Sequence, residues 1–128
     1  MIAVDSSALL AVAFQDAGWQ ACFDKLDDET VILVSAVALT ETMIVAASRG
    51  VLATMQQYLA SLELTPAPAD GEAALRVAEI YRRWGKGYHA ARLNIVDCFS
   101  YDVAHHYDCP LLYIGNDFSQ TDIPSALA

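Results

Sequence analysis

The sequence predicts a three-layer α/β domain, a central parallel sheet flanked by helices, with residues 1–128 forming one unit. Three observations predict it. Short aliphatic runs recur at Ile2–Asp5, Val31–Val34 and Pro110–Ile114. Stretches of helical length and periodicity separate them, and residues suited to caps or turns stand at the junctions. Strands separated by helices need crossover connections, which run right-handed and place the strands parallel.

Taken in order, Ile2–Asp5 reads as a short buried strand, and Asp5-Ser6-Ser7 supplies capping oxygens for a helix over Ala8–Phe14. A second helix is expected from about Ala17 to Leu26, with Asp27-Asp28-Glu29 as a solvated turn. Val31–Val34 is continuously apolar and β-branched, as in a strand covered on both faces. Ser35 caps a helix through Val37–Ala47 that Gly50 ends, and Leu52–Leu62 and Gly71–Trp84 are two further amphipathic helices. The Pro-containing segment Thr65–Gly71 is short enough to be a plain connection. Gly85–His89 reads as a loop, Asn94 caps a helix carrying Asp97, Tyr101 and Ala104, and Pro110–Ile114 is the last strand before a Gly115-Asn116-Asp117 turn.

With 55% hydrophobic and 18% charged residues the chain is too apolar for disorder. At this length it can bury roughly two-thirds of its unfolded surface. Its longest apolar runs, around Val31–Val37 and Val45–Ala47, fall well short of the ~20 residues of a membrane span. Met1–Asp5 lacks the basic flank and long apolar stretch of a secretory leader, so a cytoplasmic protein is expected. Cys22, Cys98 and Cys109 are odd in number and contain no CxxC pair, and they read as reduced thiols. Cys98, His105, His106 and Cys109 match no common zinc spacing, and adjacent histidines point to different faces of a helix. A net charge of -9, from 16 acidic and 7 basic residues, argues against a polyanionic partner unless acids converge on a cation and reverse the local field.

The carboxylates carry the chemistry. Ligands of open parallel sheets bind at the carboxyl ends of the strands. Asp5 follows the first strand, Asp117 the last, and Ser35 to Glu41 the middle one, so the chain returns an acid to one sheet edge three times. Each has an ordinary alternative: Asp5 suits an N-cap, Asp97 a helical first turn and Asp117 a tight turn. Glu41 is less easily dismissed. It lies among Val37, Leu39, Met43, Ile44 and Val45, where a carboxylate needs a cation or donor, whether Arg49 or a metal. Four acids at one edge would form a hard-oxygen set of the kind Mg²⁺ prefers, able to stabilise phosphoryl charge and acidify water. His89, His105 and His106 are possible general bases that this logic does not require. Ser6 and Ser7 lack a His–Asp apparatus, and there is neither a G-x-S-x-G elbow nor a Gly-rich phosphate loop.

Four stretches together resemble the PIN-domain toxins of bacterial type II toxin–antitoxin pairs, the VapC-like ribonucleases. They are Val4-Asp5-Ser6-Ser7-Ala8-Leu9, Ser35–Glu41, Lys86–Tyr101 and Leu112–Phe118. Within the third, Lys-Gly-x-His-x-Ala-Arg-Leu-Asn leading into Asp-Cys-Phe is the most distinctive. The resemblance implies a PIN fold and Mg²⁺-dependent cleavage of RNA, with Mn²⁺ able to substitute. It also implies a homodimer and a cognate antitoxin that occludes the site. It assigns the metal to Asp5 and Asp97 with Asp117, and Glu41 completes the catalytic acids. Asp122 falls where some members carry a further acid. Val96 departs from the glycine common before the helix-start aspartate, and Ala90 from a common proline. Arg49, Lys86 and Arg92 are the best-placed cations for gripping RNA. The alternatives are a PIN nuclease of RNA maturation and a catalytically silent PIN binding module.

Overall fold

The computed structural model describes residues 1–128. Four strands, β1 (Ile2–Val4), β2 (Ile32–Ser35), β3 (Thr65–Ala67) and β4 (Leu111–Leu112), form one sheet in the order β3-β2-β1-β4. Every pairing is parallel, with Ile2 opposite Ile32, Ala3 opposite Leu111, and Leu33 opposite Thr65. Alternation along the strands divides the core in two, because successive residues face opposite sides of a sheet. Ala3, Leu33 and Leu111 join Val77, Leu93, Cys98 and Tyr101 on one face, while Ile2, Val4, Ile32, Val34 and Leu112 join Ala8, Leu9, Cys22, Leu26 and Ala38 on the other. Helices α5 (Gly71–Trp84) and α6 (Ile95–His106) therefore cover the first face, and α1 (Ser6–Phe14), α2 (Trp19–Asp28) and α3 (Ala36–Ser48) the second. Helix α4 (Leu52–Ser61) packs Tyr58 and Leu59 beside the second cluster. The expected three layers are present.

Caps set the junctions. The Asp5 carboxylate accepts from Ser7 N–H at 3.0 Å, and the Ser35 hydroxyl from Val37 N–H at 3.1 Å, so β1 and β2 pass directly into α1 and α3. Asn94 and Asp97 form a reciprocal capping box at the start of α6. Gly50, at φ 74°, turns the chain out of α3.

Three expectations change. The Pro-containing connection holds β3, an edge strand, and Pro66 is tolerated there because an edge position leaves one side of the ladder unpaired. Asp27 and Asp28 end α2 rather than forming a turn, and Glu29 just beyond them pairs with the N-terminal ammonium and Lys25. Of the Pro110–Ile114 run, only Leu111 and Leu112 are in the sheet.

Between α5 and α6 the chain folds back on itself. Lys86 N–H donates to the Leu93 carbonyl and Leu93 N–H to the Trp84 carbonyl. A Cβ on Gly85 would lie 2.4 Å from the Tyr81 carbonyl oxygen, so only glycine fits this close approach. Pinning both ends of the loop sets where α6, and hence Asp97, begins.

Candidate metal centre

Four elements bring acids to the C-terminal edge of the sheet. Asp5 leaves β1, Glu41 projects from α3, Asp97 lies in the first turn of α6, and Asp117 follows β4 beyond Gly115 at φ 104°. Their mutual proximity is registered at Asp97. Burial first, and then repulsion from Asp5, Asp117 and Glu41, pushes its carboxyl from the ordinary 3.8 up to about 6, against the opposing Asn94 N–H bond. Asp5 is also pushed upward, chiefly by desolvation and further by Glu41, while bonds from Ser100 and Ser7 oppose the shift.

Each acid is held differently. Asp5 is 2% exposed, and its Oδ1 accepts from the Ser100 hydroxyl at 2.5 Å while Oδ2 accepts from Ser7 N–H. Glu41 Oε1 accepts from the Ser6 hydroxyl at 2.5 Å. The Arg49 guanidinium does not serve Glu41. It lies over the Phe14 ring, 4.4 Å from the centroid, and eight residues along α3 separate the two by roughly 12 Å of helix axis. Asp97 Oδ2 accepts from Asn94 N–H at 3.0 Å. Asp117 is exposed and its side chain makes no capping bond.

Asp122 is engaged elsewhere. It accepts from the Tyr101 hydroxyl at 2.5 Å and faces Arg83 at 3.7 Å, and it is absent from the charges that raise Asp97. Val96 sits in helical backbone within the first turn of α6 and packs against the Val4–Leu9 cluster, so glycine's freedom is not needed there. Lys86 and Arg92 are exposed on the loop entering α6 and form no ion pair, Arg92 at φ 54°. His89 Nδ1 accepts from Ala91 N–H, and His105 stacks on Tyr101, so neither ring faces the acids through these contacts. The three cysteines are free and buried.

Ser100 and Ser6 were not foreseen as partners of the acids. Ser100 is three residues after Asp97, hence on the same helix face, which is the only sequence signal it carries. Asp102 was missed altogether. It is 4% exposed and takes two bonds from Arg76, at 2.8 and 3.1 Å, which fasten α5 to α6.

As they stand, no three His, Cys, Asp or Glu side chains are gathered closely enough to hold a metal ion. The donor chemistry nonetheless fits a hard divalent cation, because Mg²⁺ takes one or two carboxylates directly and keeps several waters. Crowded, desolvated acids such as Asp5 and Asp97 are also relieved by positive charge.

A parallel sheet with this acidic edge agrees with the class found by comparison, for residues 2–124 match the PIN domain family. The chain is 37% identical to a protein named Ribonuclease VapC from Mycolicibacterium smegmatis, covering 94% of this chain and 95% of that one. It is 34% identical to Ribonuclease VapC30 of Mycobacterium tuberculosis, over 94% of each. The chain belongs to the PIN-domain family, within its VapC ribonuclease branch. Among solved structures, the fold is similar to Mycobacterium tuberculosis VapC20, described as a Sarcin–Ricin loop cleaving toxin. That match has TM-score 0.78 at 19% identity and covers 96% of both chains. A toxin–antitoxin complex from Klebsiella pneumoniae contains a chain matched at TM-score 0.74 and 14% identity, over 100% of this chain and 98% of that one. No helix here is long and apolar enough to cross a membrane.

Proposed function

We propose that this protein is a divalent-metal-dependent endoribonuclease, the toxin of a toxin–antitoxin pair, and that Asp5, Glu41, Asp97 and Asp117 form its catalytic centre. The observation that carries the reading is the placement of four acids, from four elements, at the C-terminal edge of the sheet, where Asp5, Asp117 and Glu41 lie near enough to Asp97 to push its carboxyl upward together with burial. Acids that merely cap helices have no cause to crowd one another. The names of the VapC relatives support the activity, and the toxin–antitoxin complex among the similar folds supports the partner.

In this reading Asp5 and Asp97 would hold Mg²⁺, or Mn²⁺ in its place, with Asp117 as the third ligand and Glu41 as the fourth catalytic acid. When bound, the cation supplies charge for the phosphoryl oxygens and acidifies water beside it. The chain's own contribution is placement. Ser100 and Ser7 hold Asp5, Ser6 holds Glu41, and the capping box holds Asp97. Asp117 is exposed and makes no capping bond, so no capping hydrogen bond fixes its carboxylate. RNA is gripped beside the acids by Lys86 and Arg92, with Arg49 a weaker candidate because it is occupied by Phe14. Five of the seven basic residues fall between Arg76 and Arg92, so this acidic chain concentrates its positive charge next to α6. We assign the protein to the cytoplasm, as a homodimer.

The test is cleavage of an RNA pool by purified protein with Mg²⁺, with Mn²⁺ and with EDTA. Cleavage in either metal and none in chelator is expected. Equal cleavage in EDTA, lost with none of Asp5→Asn, Asp97→Asn or Asp117→Asn, would overturn the proposal.

A further inference from the structure

We infer that Ser100 is a positioning residue that sets the Asp5 carboxylate in the orientation a divalent cation requires. The inference rests on the reading of Asp5 as a cation ligand. Ser100 is 1% exposed, and its hydroxyl donates to Oδ1 of Asp5, a residue 2% exposed, at 2.5 Å. Oδ2 is anchored separately by Ser7 N–H at 3.0 Å. A carboxylate held through both oxygens cannot turn about its Cβ–Cγ bond, so its plane is fixed. An ionised carboxylate has about four acceptor sites, and these two donors leave one on each oxygen for a cation.

The hydroxyl also ties Asp5 to Asp97. Ser100 and Asp97 sit three residues apart on α6, one helical turn, so the helix that carries one acid carries the donor that aims the other. Asp5 follows β1, 95 residues away in sequence, and the Ser100 bond is the one that reaches it from α6. Both groups are buried, so this bond is made away from bulk solvent. Loss of the hydroxyl would remove the Ser100 donor from the buried Oδ1 and leave Asp5 less tightly tethered, with more freedom to rotate about its Cβ–Cγ bond. Ser6, 4% exposed and bonded to Glu41, is the same device on α1, but its acid is less buried and has more freedom to find water.

The experiment compares Mn²⁺ binding by the parent and Ser100→Ala, measured by the electron paramagnetic resonance signal of free Mn²⁺, alongside thermal melting in EDTA. Groups that orient a metal ligand typically contribute 10–100-fold to affinity, and a loss in about that range is expected. Ser100→Thr, which keeps the hydroxyl, is expected to recover most of it. In RNA cleavage at limiting Mn²⁺, kcat should fall while KM for RNA stays within about twofold, and raised Mn²⁺ should restore kcat. Should Ser100→Ala fail to fold, Ser100→Cys replaces it, since a thiol keeps the volume but is a weak donor. Mn²⁺ affinity in the folded variant within about twofold of the parent would overturn the inference even if melting were lowered, because Ser100 would then serve folding alone. A parent that binds no Mn²⁺ would overturn the metal reading and this inference together, an outcome distinct from the first.

Discussion

Replacing Asp97 by asparagine should make the metal-free protein more stable while abolishing its activity. Burial and three neighbouring acids raise the Asp97 carboxyl from 3.8 to about 6. A shift of about two units corresponds to roughly 3 kcal/mol between the protonation states. Asp97 is partly exposed, and solvent screening reduces this to about 1.5 kcal/mol. Asparagine keeps an acceptor for Asn94 N–H but loses the attraction of a negative charge to the helix N-terminus, worth about 0.5 kcal/mol. The net gain is about 1 kcal/mol, or a rise of some 3–5 °C in Tm for a chain of this size. The sign follows from linkage. A carboxyl whose folded pKa is raised stabilises the fold while protonated, so its penalty is absent below the unfolded value. The penalty grows as pH rises from about 3.8 to about 6, and it is complete above that. The assay is thermal melting of both proteins in EDTA at about pH 7.5 and about pH 4, with the gain seen only at the higher pH. RNA cleavage in Mg²⁺ is measured in parallel and should fall at least about 100-fold. A variant that melts lower than the parent near neutrality would refute the crowding argument. A variant that cleaves RNA normally would reduce Asp97 to a helix cap.

Three further outcomes are expected. Arg76→Ala strands the buried Asp102 carboxylate and should cost about 2–3 kcal/mol by urea denaturation, at the low side because Arg76 is itself a third exposed; a cost below about 0.5 kcal/mol would show the pair to be incidental. Joint replacement of Lys86 and Arg92 by alanine should raise KM for RNA and flatten the log–log salt dependence of binding by about 1.5, with Mn²⁺ affinity unchanged; an unaltered salt slope would remove them from the RNA path. A peptide from the cognate antitoxin bearing an Arg or Lys should compete with RNA for the acids through charge-assisted bonds; undiminished cleavage at saturating peptide would place the partner elsewhere on the surface.

The local content of this protein was legible because it is written in neighbouring residues. Aliphatic runs marked β1 and β2, and side-chain oxygens at Asp5, Ser35 and Asn94 marked the starts of α1, α3 and α6 where backbone N–H groups lack partners. The recurrence of an acid after successive strands pointed to one sheet edge, since parallel strands all end on the same side. Strand β3 escaped because Pro66 argues against a strand, and only its place at the edge beside β2 makes the proline harmless. Asp122 resembled a member of the acidic set in sequence, yet the packing of α6 turns Tyr101 and Arg83 toward it instead. Whether Glu41 would meet Arg49 or another donor depended on how α3 lies against α1, which brings the Ser6 hydroxyl to it. Ser100 and Asp5 stand 95 residues apart, and Arg76 and Asp102 stand 26 apart. Such pairs are decided by the docking of whole elements, because a hydrogen bond depends on fractions of an ångström that local pattern does not encode. The sequence by itself determined which acids exist and which strand ends carry them. Tertiary structure alone decided which donors hold each one, and how strongly the acids repel.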